Sequence, residues 1–514
     1  MVLGSSLPDP DTVLAEFLDV GVPVSFSGGC VGHWTKCSNA ALALADRILD
    51  LYRHRDSLST SHGEAVLNTV QCCQLLLRFC VESKLLHLLR AYPPEVLGEG
   101  VHAVDRKLQD LWTTFLDCSL SENERIQMAL PVSRGGLSVG SLSLRHASAY
   151  VGSWTLCLSS VLARLPESDA RSLQVGLQRG VSALPSCRFI AHACEQLRSL
   201  GLLPEHLPQW ESYFTEALRH GQKLFARRVM AAVYSCLLGR LDEPGRARLR
   251  SCSGLGAGAF LLCVPSETEG TELLDAVFVH AVRWRLGLQT CAPHLFCSRW
   301  YSKDSRRRCC EPLDRVGDHL VCCNVGGFKT YLHSRVVAVL RGILRDSGAS
   351  VPDREVEVLA WGKQPGQAAR LEIEFLVEGV RRYVDVVVKH PRVARVVHRA
   401  ADTDGAAAGD GERDKFDRYP AVPELGLREV IPFALESFGR VGPAGQRLLR
   451  DARHRVVAAD RRFGGWAGHA LAQRWQARLS CALAAGLWDA AAASWGYCGA
   501  RAGLWDDVVD SARA

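Results

Sequence analysis

The sequence predicts an α+β chain in which a mainly helical first two-thirds is followed by a small cysteine/histidine knuckle, an α/β module and a helical tail. Three observations predict it. Apolar residues recur at three-to-four spacing from about 38 to 130, six of the twenty cysteines crowd between Cys291 and Cys323, and near 369–377 the apolar period changes to alternation, followed by a β-forming run to 388.

The helical part is carried by runs such as Val70, Leu75, Leu76, Phe79, Leu85, Leu86 and Leu89, which put one apolar stripe on each helix. Pro93-Pro94 punctuates this region, and Pro131-Val-Ser-Arg-Gly-Gly136 marks a turn before another apolar helical stretch that ends at Leu165, just ahead of Pro166. From 166 to 290 the pattern stays mostly helical, with the Gly-rich 254–265 its least helical part.

Composition narrows the class. With 47% hydrophobic and 23% charged residues over 514 positions the chain has ordinary globular composition, enough for about three domains. No stretch reaches the roughly 18 apolar residues of a membrane span, and MVLGSSLPDPD lacks the basic and apolar regions of a signal peptide, so an intracellular protein without a membrane partner is expected. A net charge of +6 is too mild to demand a polyanion, but Arg299, Trp300, Tyr301, Lys303, Arg306, Arg307 and Arg308 pack five cations and two aromatics into ten positions. Such a cluster suits phosphate contacts and base stacking. The cysteines are too dilute for a disulfide framework, yet Cys291, Cys297, Cys309, Cys310, Cys322 and Cys323 lie with His319 in one short region, and four thiol or imidazole ligands are what tetrahedral Zn2+ takes. Gly317 allows a sharp turn there, and Asp318 is available to orient a ligand.

After a helix expected at 329–347 and a strand near 354–360, Leu371, Ile373, Phe375 and Val377 alternate, and Arg381-Arg-Tyr-Val-Asp-Val-Val-Val388 is strongly β-forming. A two-residue turn at Glu378-Gly379 sets Glu372 opposite Asp385; a four-residue loop would set Glu374 there instead. Opposed carboxylates about 5 Å apart repel unless a cation joins them, and Mg2+ or Mn2+ held by two carboxylates can activate water against a phosphodiester. The Ala/Gly/Asp-rich stretch from Asp402 to Asp414 is expected to be a flexible surface insertion, and the Ala/Arg/Trp-rich remainder, 440–514, to be helical.

Arg370-Leu-Glu372, ten residues, Tyr383-Val-Asp385-Val-Val-Val, then Lys415-Phe-Asp-Arg-Tyr419 resembles the restriction-like endonuclease of non-LTR retrotransposon reverse transcriptases, a PD-(D/E)XK-type fold. The likeness continues through Val430–Arg440, and forward into Gly317-Asp-His319 with the cysteines around it. It implies metal binding by Glu372 and Asp385, a lysine role for Lys415 in orienting water or phosphate, an assisting Tyr419, and a Cys, Cys, His, Cys zinc knuckle for which Cys297, Cys309, His319 and Cys322 are the first choice, with Cys291, Cys310 and Cys323 as alternates. His333 also fits a family position. Two departures stand out: the family usually has Asp where Glu372 stands, and Lys389 lies too far along to make Asp-x-Lys with Asp385.

Met1-Val-Leu-Gly4 resembles the end of a reverse transcriptase palm, and Leu130-Pro-Val-Ser-Arg-Gly-Gly-Leu-Ser-Val139 a segment of the thumb region. A Tyr-x-Asp-Asp palm motif is missing, and Asp506-Asp507 has no strand-turn-strand around it, so no polymerase activity is expected from this chain alone. The organisation so implied is a palm end and thumb-like region at 1–165, a helical connector at 166–288, the knuckle at 289–326, the nuclease at 327–445 and a helical tail at 446–514. The expected function is target-site nicking of DNA by a nuclear, retrotransposon-derived hydrolase that also meets the element RNA. The alternatives are an inactive nucleic-acid-binding remnant and a helical interaction protein.

Overall fold

The computed structural model describes residues 28–55, 68–179, 184–291, 295–301, 307–362, 364, 366–459 and 465–494. It is mainly helical with a small region of sheet toward the C-terminal end, and it divides into two compact units: Met1–His54, Cys73–Pro131 and Ser138–Arg240 in one, and Arg55–Cys72, Val132–Leu137 and Leu241–Ala514 in the other. No described helix is long and apolar enough to cross a membrane.

In the first unit the helix Leu142–Leu162 is central, burying Tyr150, Val151, Trp154 and Leu158 against Phe189, Ile190 and Leu197 of the helix Pro185–Ser199 and Phe225 and Val229 of Gly221–Arg240. Gly152 makes the last crossing close, since a Cβ there would stand 2.4 Å from the Gln222 Cα. Two buried acids hold the turn ahead of this helix. Asp105 accepts from the Leu142 and Ser143 amides at 2.9 and 2.8 Å, meeting donors that a helix start leaves unpaired, and Glu82 accepts from the Gly140 amide at 2.7 Å. Burial drives the Glu82 carboxyl up to about 7.

The second unit holds the sheet. Strands β1 (Val356–Val358) and β2 (Ala369–Leu371) form an antiparallel pair, while β3 (Ile373–Val377), β4 (Val380–Lys389) and β5 (Ile431–Glu436) form a second sheet in the order β3-β4-β5, antiparallel then parallel. The β3–β4 turn is the two-residue Glu378-Gly379, both at positive φ (52° and 77°) as such hairpins require, and Ile373 pairs with Val384. One face of the sheet, with Ile373, Phe375, Val384, Val386, Phe433 and Leu435, packs on Leu332, Val336, Leu340 and Ile343 of helix α1 (Phe328–Asp346), each such buried side chain contributing roughly 1.5–3 kcal/mol.

Helix α2 (Ala406–Arg418) contacts β4 and β5, and it overturns the expectation of a flexible insertion at Asp402–Asp414. The small residues that suggested a loop are what let a helix lie close: Ala407, Ala408 and Gly411 are buried, and a Cβ on Gly411 would stand 3.0 Å from the Val387 side chain. Buried Glu436 at the end of β5 accepts from the Ala407 and Ala408 amides at 3.1 Å each, so a carboxylate caps the positive end of α2. Helices α3 (Pro443–Ala459) and α4 (Gly465–Ser494) complete the unit as expected of the C-terminal part. Met1–Gly4 and Asp506-Asp507 lie outside the described residues.

Candidate metal knuckle and carboxylate site

The knuckle begins with two extended segments, 295–301 and 307–313, held as an antiparallel ribbon by the Phe296–Pro312 and Trp300–Arg308 bridges. In this register the Cys309 amide donates to Arg299 and the Cys310 amide to Cys297, which brings Cys297 and Cys309 near one another although eleven residues separate them in sequence. A one-turn helix, Asp318–Cys322, follows. Its start is held by Asp314, whose carboxylate accepts from the amides of Asp318 at 2.9 Å and His319 at 2.8 Å.

Cys297, Cys309, His319 and Cys323 bring their ligand atoms within 4.8 Å of one another, a cluster that can hold a metal ion such as zinc. The separations fit that use: Cys297 Sγ to Cys323 Sγ is 3.9 Å, Cys323 Sγ to Cys309 Sγ 3.7 Å, and Cys309 Sγ to His319 Nε2 3.6 Å. Zn–S and Zn–N bonds at tetrahedral angles give ligand–ligand edges of about 3.8 and 3.6 Å. Burial and the neighbouring Cys323 push the Cys297 thiol up to about 11, so a thiolate there needs a cation, and burial together with Arg299 lowers His319, which favours the neutral imidazole that binds metal.

The residue that completes this quartet is Cys323 and not Cys322. The Cys323 amide closes a helical bond to the His319 carbonyl at 2.8 Å, placing residue 323 four positions after 319 on the same side, while Cys322 lines a cleft elsewhere. Cys291 and Cys310 stand outside the quartet; Cys310 is exposed, at φ 56°. Asp318 does not orient His319. Its Oδ1 accepts from His390 Nε2 at 3.0 Å and forms an ion pair with Arg392 Nη1 at 3.2 Å, tying the knuckle to the segment after β4.

Of the basic-aromatic cluster, Trp300, Tyr301, Arg307 and Arg308 are exposed. Lys303 and Arg306 lie outside the described residues. Arg299 is corrected: it is 2% exposed, donates to the carbonyls of Leu320 and Ala490 at 2.7 and 2.6 Å, and packs over Phe328, which makes it a brace of the knuckle interior rather than a nucleic-acid contact.

The carboxylate site forms where the pairing of β3 with β4 stops. Ahead of Ile373 the chain bends at Glu372 out of β2, so β4 loses its antiparallel partner beyond Val384 and the Val386 amide and carbonyl face outward on that edge. Glu372 and His333 take them up. The Val386 amide donates to Glu372 Oε2 at 3.2 Å, and His333 Nε2 donates to the Val386 carbonyl at 3.1 Å while standing 3.4 Å from Glu372 Oε1. Arg341 donates to the Glu372 carbonyl.

Asp385, 1% exposed, points to the α2 side, where Lys415 Nζ donates to both of its carboxylate oxygens, at 2.7 and 2.8 Å. Burial and then the charge of Glu372 raise Asp385 to about 6 despite that lysine. Burial also acts to raise Glu372, but His333 outweighs it and the net shift is downward; His333 in turn is raised, Glu372 outweighing its own burial. Two adjacent carboxylates thus divide into one held ionised and one held nearer neutral. Tyr419 is buried against Trp361, 5.7 Å between ring centroids, and burial with the nearby Asp385 raises its phenol to about 12. Glu374 does not join the site, because its rung faces Tyr383 and its carboxylate pairs with Arg381 at 2.9 Å.

Glu372 and His333 open onto a cleft of about 730 Å3 whose wall also carries Lys329, Lys389 and Arg395. Lys389 pairs with Asp414 at 2.8 Å. Sequence reasoning assigned no role to His333, yet it follows Leu332 on the flank of the buried α1 stripe, a position from which a side chain reaches the sheet edge. No protein-family model matches this chain, and no curated protein matches it.

Proposed function

We propose that the second unit is a metal-dependent DNA endonuclease of the retrotransposon restriction-like type, built beside a structural zinc knuckle. The observation that carries this reading is the convergence of Glu372, Asp385 and Lys415 beside the free edge of β4, where Glu372 opens onto a cleft lined by both cations and acids. A divalent ion fits the donor set: two hard carboxylates, one nearly out of water and raised by its neighbour, form a pair that a cation stabilises. Bound there, Mg2+ or Mn2+ would lower the pKa of a water and neutralise charge developing on a phosphodiester. Within the chain, Glu372 stays ionised through His333, Lys415 neutralises Asp385 and offers an ammonium to phosphate, and Lys329 and Arg395 supply positive charge on a wall that also carries Glu355 and Asp410. Zinc in the Cys3His cluster would stabilise the knuckle, which Asp318 joins to β4 through His390 and Arg392. The first unit fits a thumb-like arm in this reading, and the described chain a retrotransposon-derived protein that meets target DNA and element RNA.

The test is conversion of supercoiled plasmid to open circle in Mg2+ by the purified chain, against a Glu372→Ala/Asp385→Ala double variant. Nicking that persists unchanged in the double variant sinks the site. One observation favours a second reading, an inactive nucleic-acid-binding remnant: both Asp385 oxygens already bond Lys415, and a metal must share or displace that contact. Plasmid binding without nicking, in Mg2+ and Mn2+ alike, is the result that would select it.

A further inference from the structure

The tip of the knuckle ribbon carries two consecutive rungs that set an aromatic ring against an arginine. Trp300 bridges Arg308, whose guanidinium lies 4.3 Å from a ring centroid of the indole; on the next rung the Tyr301 amide donates to the Arg307 carbonyl, and the Arg307 guanidinium lies 4.8 Å from the phenol ring. Successive rungs of a ribbon point to opposite faces, so one such pair stands on each side. Both rings remain open to solvent, Trp300 at 43% and Tyr301 at 50%. Four residues before Trp300, on its own face of the ribbon, Phe296 is 61% exposed opposite Pro312. Cys297 and Arg299, which alternate with Phe296 and Trp300 and share the face of Tyr301, are buried. The ribbon therefore turns Cys297 and Cys309 inward and Phe296 and Trp300 outward, while Tyr301, on the inward face, lies past the buried residues and stays exposed at the ribbon end.

We propose that this ribbon tip binds single-stranded DNA, with bases stacked on Trp300, Tyr301 and Phe296 and phosphates neutralised by Arg307 and Arg308. A guanidinium against each ring restrains it and places a positive charge beside the stacking surface, a combination that serves a π-faced polyanion. A duplex is a poor fit, because its bases show only their edges. Charge argues for nucleic acid over a protein partner: the exposed charged residues of the two ribbon segments are Arg307, Arg308 and Glu311, a net positive set. DNA as the source rests on the nuclease reading, since a nick beside the ribbon is where an unpaired DNA strand arises.

The test uses the full chain in Mg2+-free buffer, so that nothing is cut, and follows the anisotropy of a fluorescein-labelled oligothymidine. Trp300→Ala and Tyr301→Ala should each weaken binding roughly tenfold, Trp300→Phe should retain most of it, and Arg308→Ala should lower the salt slope by about one charge. Binding should also quench tryptophan emission in the natural chain, and the quench should fall in Trp300→Phe while affinity stays. Affinity for a duplex of the same length should change far less. Metal content reports whether each variant keeps its knuckle, and the Phe variant carries the test if the Ala variant loses it. The Glu372→Ala/Asp385→Ala chain should bind the oligonucleotide like the natural one, which separates failure of this proposal from failure of the nuclease reading. Unchanged affinity in both Ala variants, equal losses on duplex and single strand, or tighter and equally Trp300-dependent binding of oligouridine would overturn the assignment.

Discussion

Lys415 donates to both carboxylate oxygens of Asp385, a buried contact between helix α2 and the central strand of the sheet. It places an ammonium on an acid that burial and Glu372 together would otherwise drive further toward its neutral form. The pair is nearly out of water, so the two groups depend on each other: removing either leaves a charge without compensation.

Replacing Lys415 by Ala should therefore lower plasmid nicking by about a hundredfold or more, the scale of a lost electrostatic stabiliser, and should also destabilise the fold by about 3 kcal/mol. Initial rates of open-circle formation and urea denaturation measure the two effects. Glu374→Ala is the control, because that side chain pairs with Arg381 on another rung. An equal loss of nicking in Glu374→Ala would mean that the hairpin register is wrong.

Metal content should follow the quartet. Cys323→Ser should reduce bound zinc from one equivalent toward none, whereas Cys322→Ser should leave it unchanged, since Cys322 lies outside the cluster. Elemental analysis of the two purified variants decides between them, and the opposite pattern would restore Cys322 as the ligand.

Gly411 lets α2 approach β4. A Cβ there meets the Val387 side chain at 3.0 Å and that of Lys389 at 3.2 Å, so Gly411→Val forces the helix outward. Overpacking of this kind costs about 1–3 kcal/mol, and it should weaken nicking as well by shifting Lys415, one turn along the same helix. A variant as stable and as active as the natural chain would show that α2 tolerates a wider spacing.

Glu82 should make the first unit sensitive to pH. Its carboxyl stands at about 7 when folded against an ordinary value of 4.5, so the folded state holds a proton that the unfolded state has lost between those values. Stability from this group is fully present below about pH 4.5 and falls as pH rises to about 7, by an amount on the order of 3 kcal/mol. Glu82→Gln keeps an oxygen for the Gly140 amide without the titration. Denaturation of the two proteins from pH 5 to 8 should show their stabilities diverging, with the Glu82→Gln variant favoured at the higher pH; parallel curves would remove Glu82 as the cause.

Much of the architecture was legible in local pattern. Three-to-four periodicity marked the helices, α1 among them, and alternation around Glu378-Gly379 marked the hairpin but left two registers open, of which the two-residue turn that brings Glu372 toward Asp385 is the one formed. The crowding of cysteines around His319 likewise pointed to a cluster that can hold a metal ion. What the sequence by itself could not decide was anything settled by distant packing. Cys323 displaced Cys322 because one helical turn sets which thiol faces the ribbon, and Arg299 left the basic surface because ribbon alternation turned it inward to buried carbonyls. The stretch read as a loose insertion became α2 because its small side chains, uninformative alone, are what a sheet surface needs for close approach. His333 entered the site because β3 begins only after Glu372 and leaves exposed a strand edge that only the tertiary structure could bring to α1. Local chemistry determined the elements and the candidate ligands, and long-range contacts chose among them.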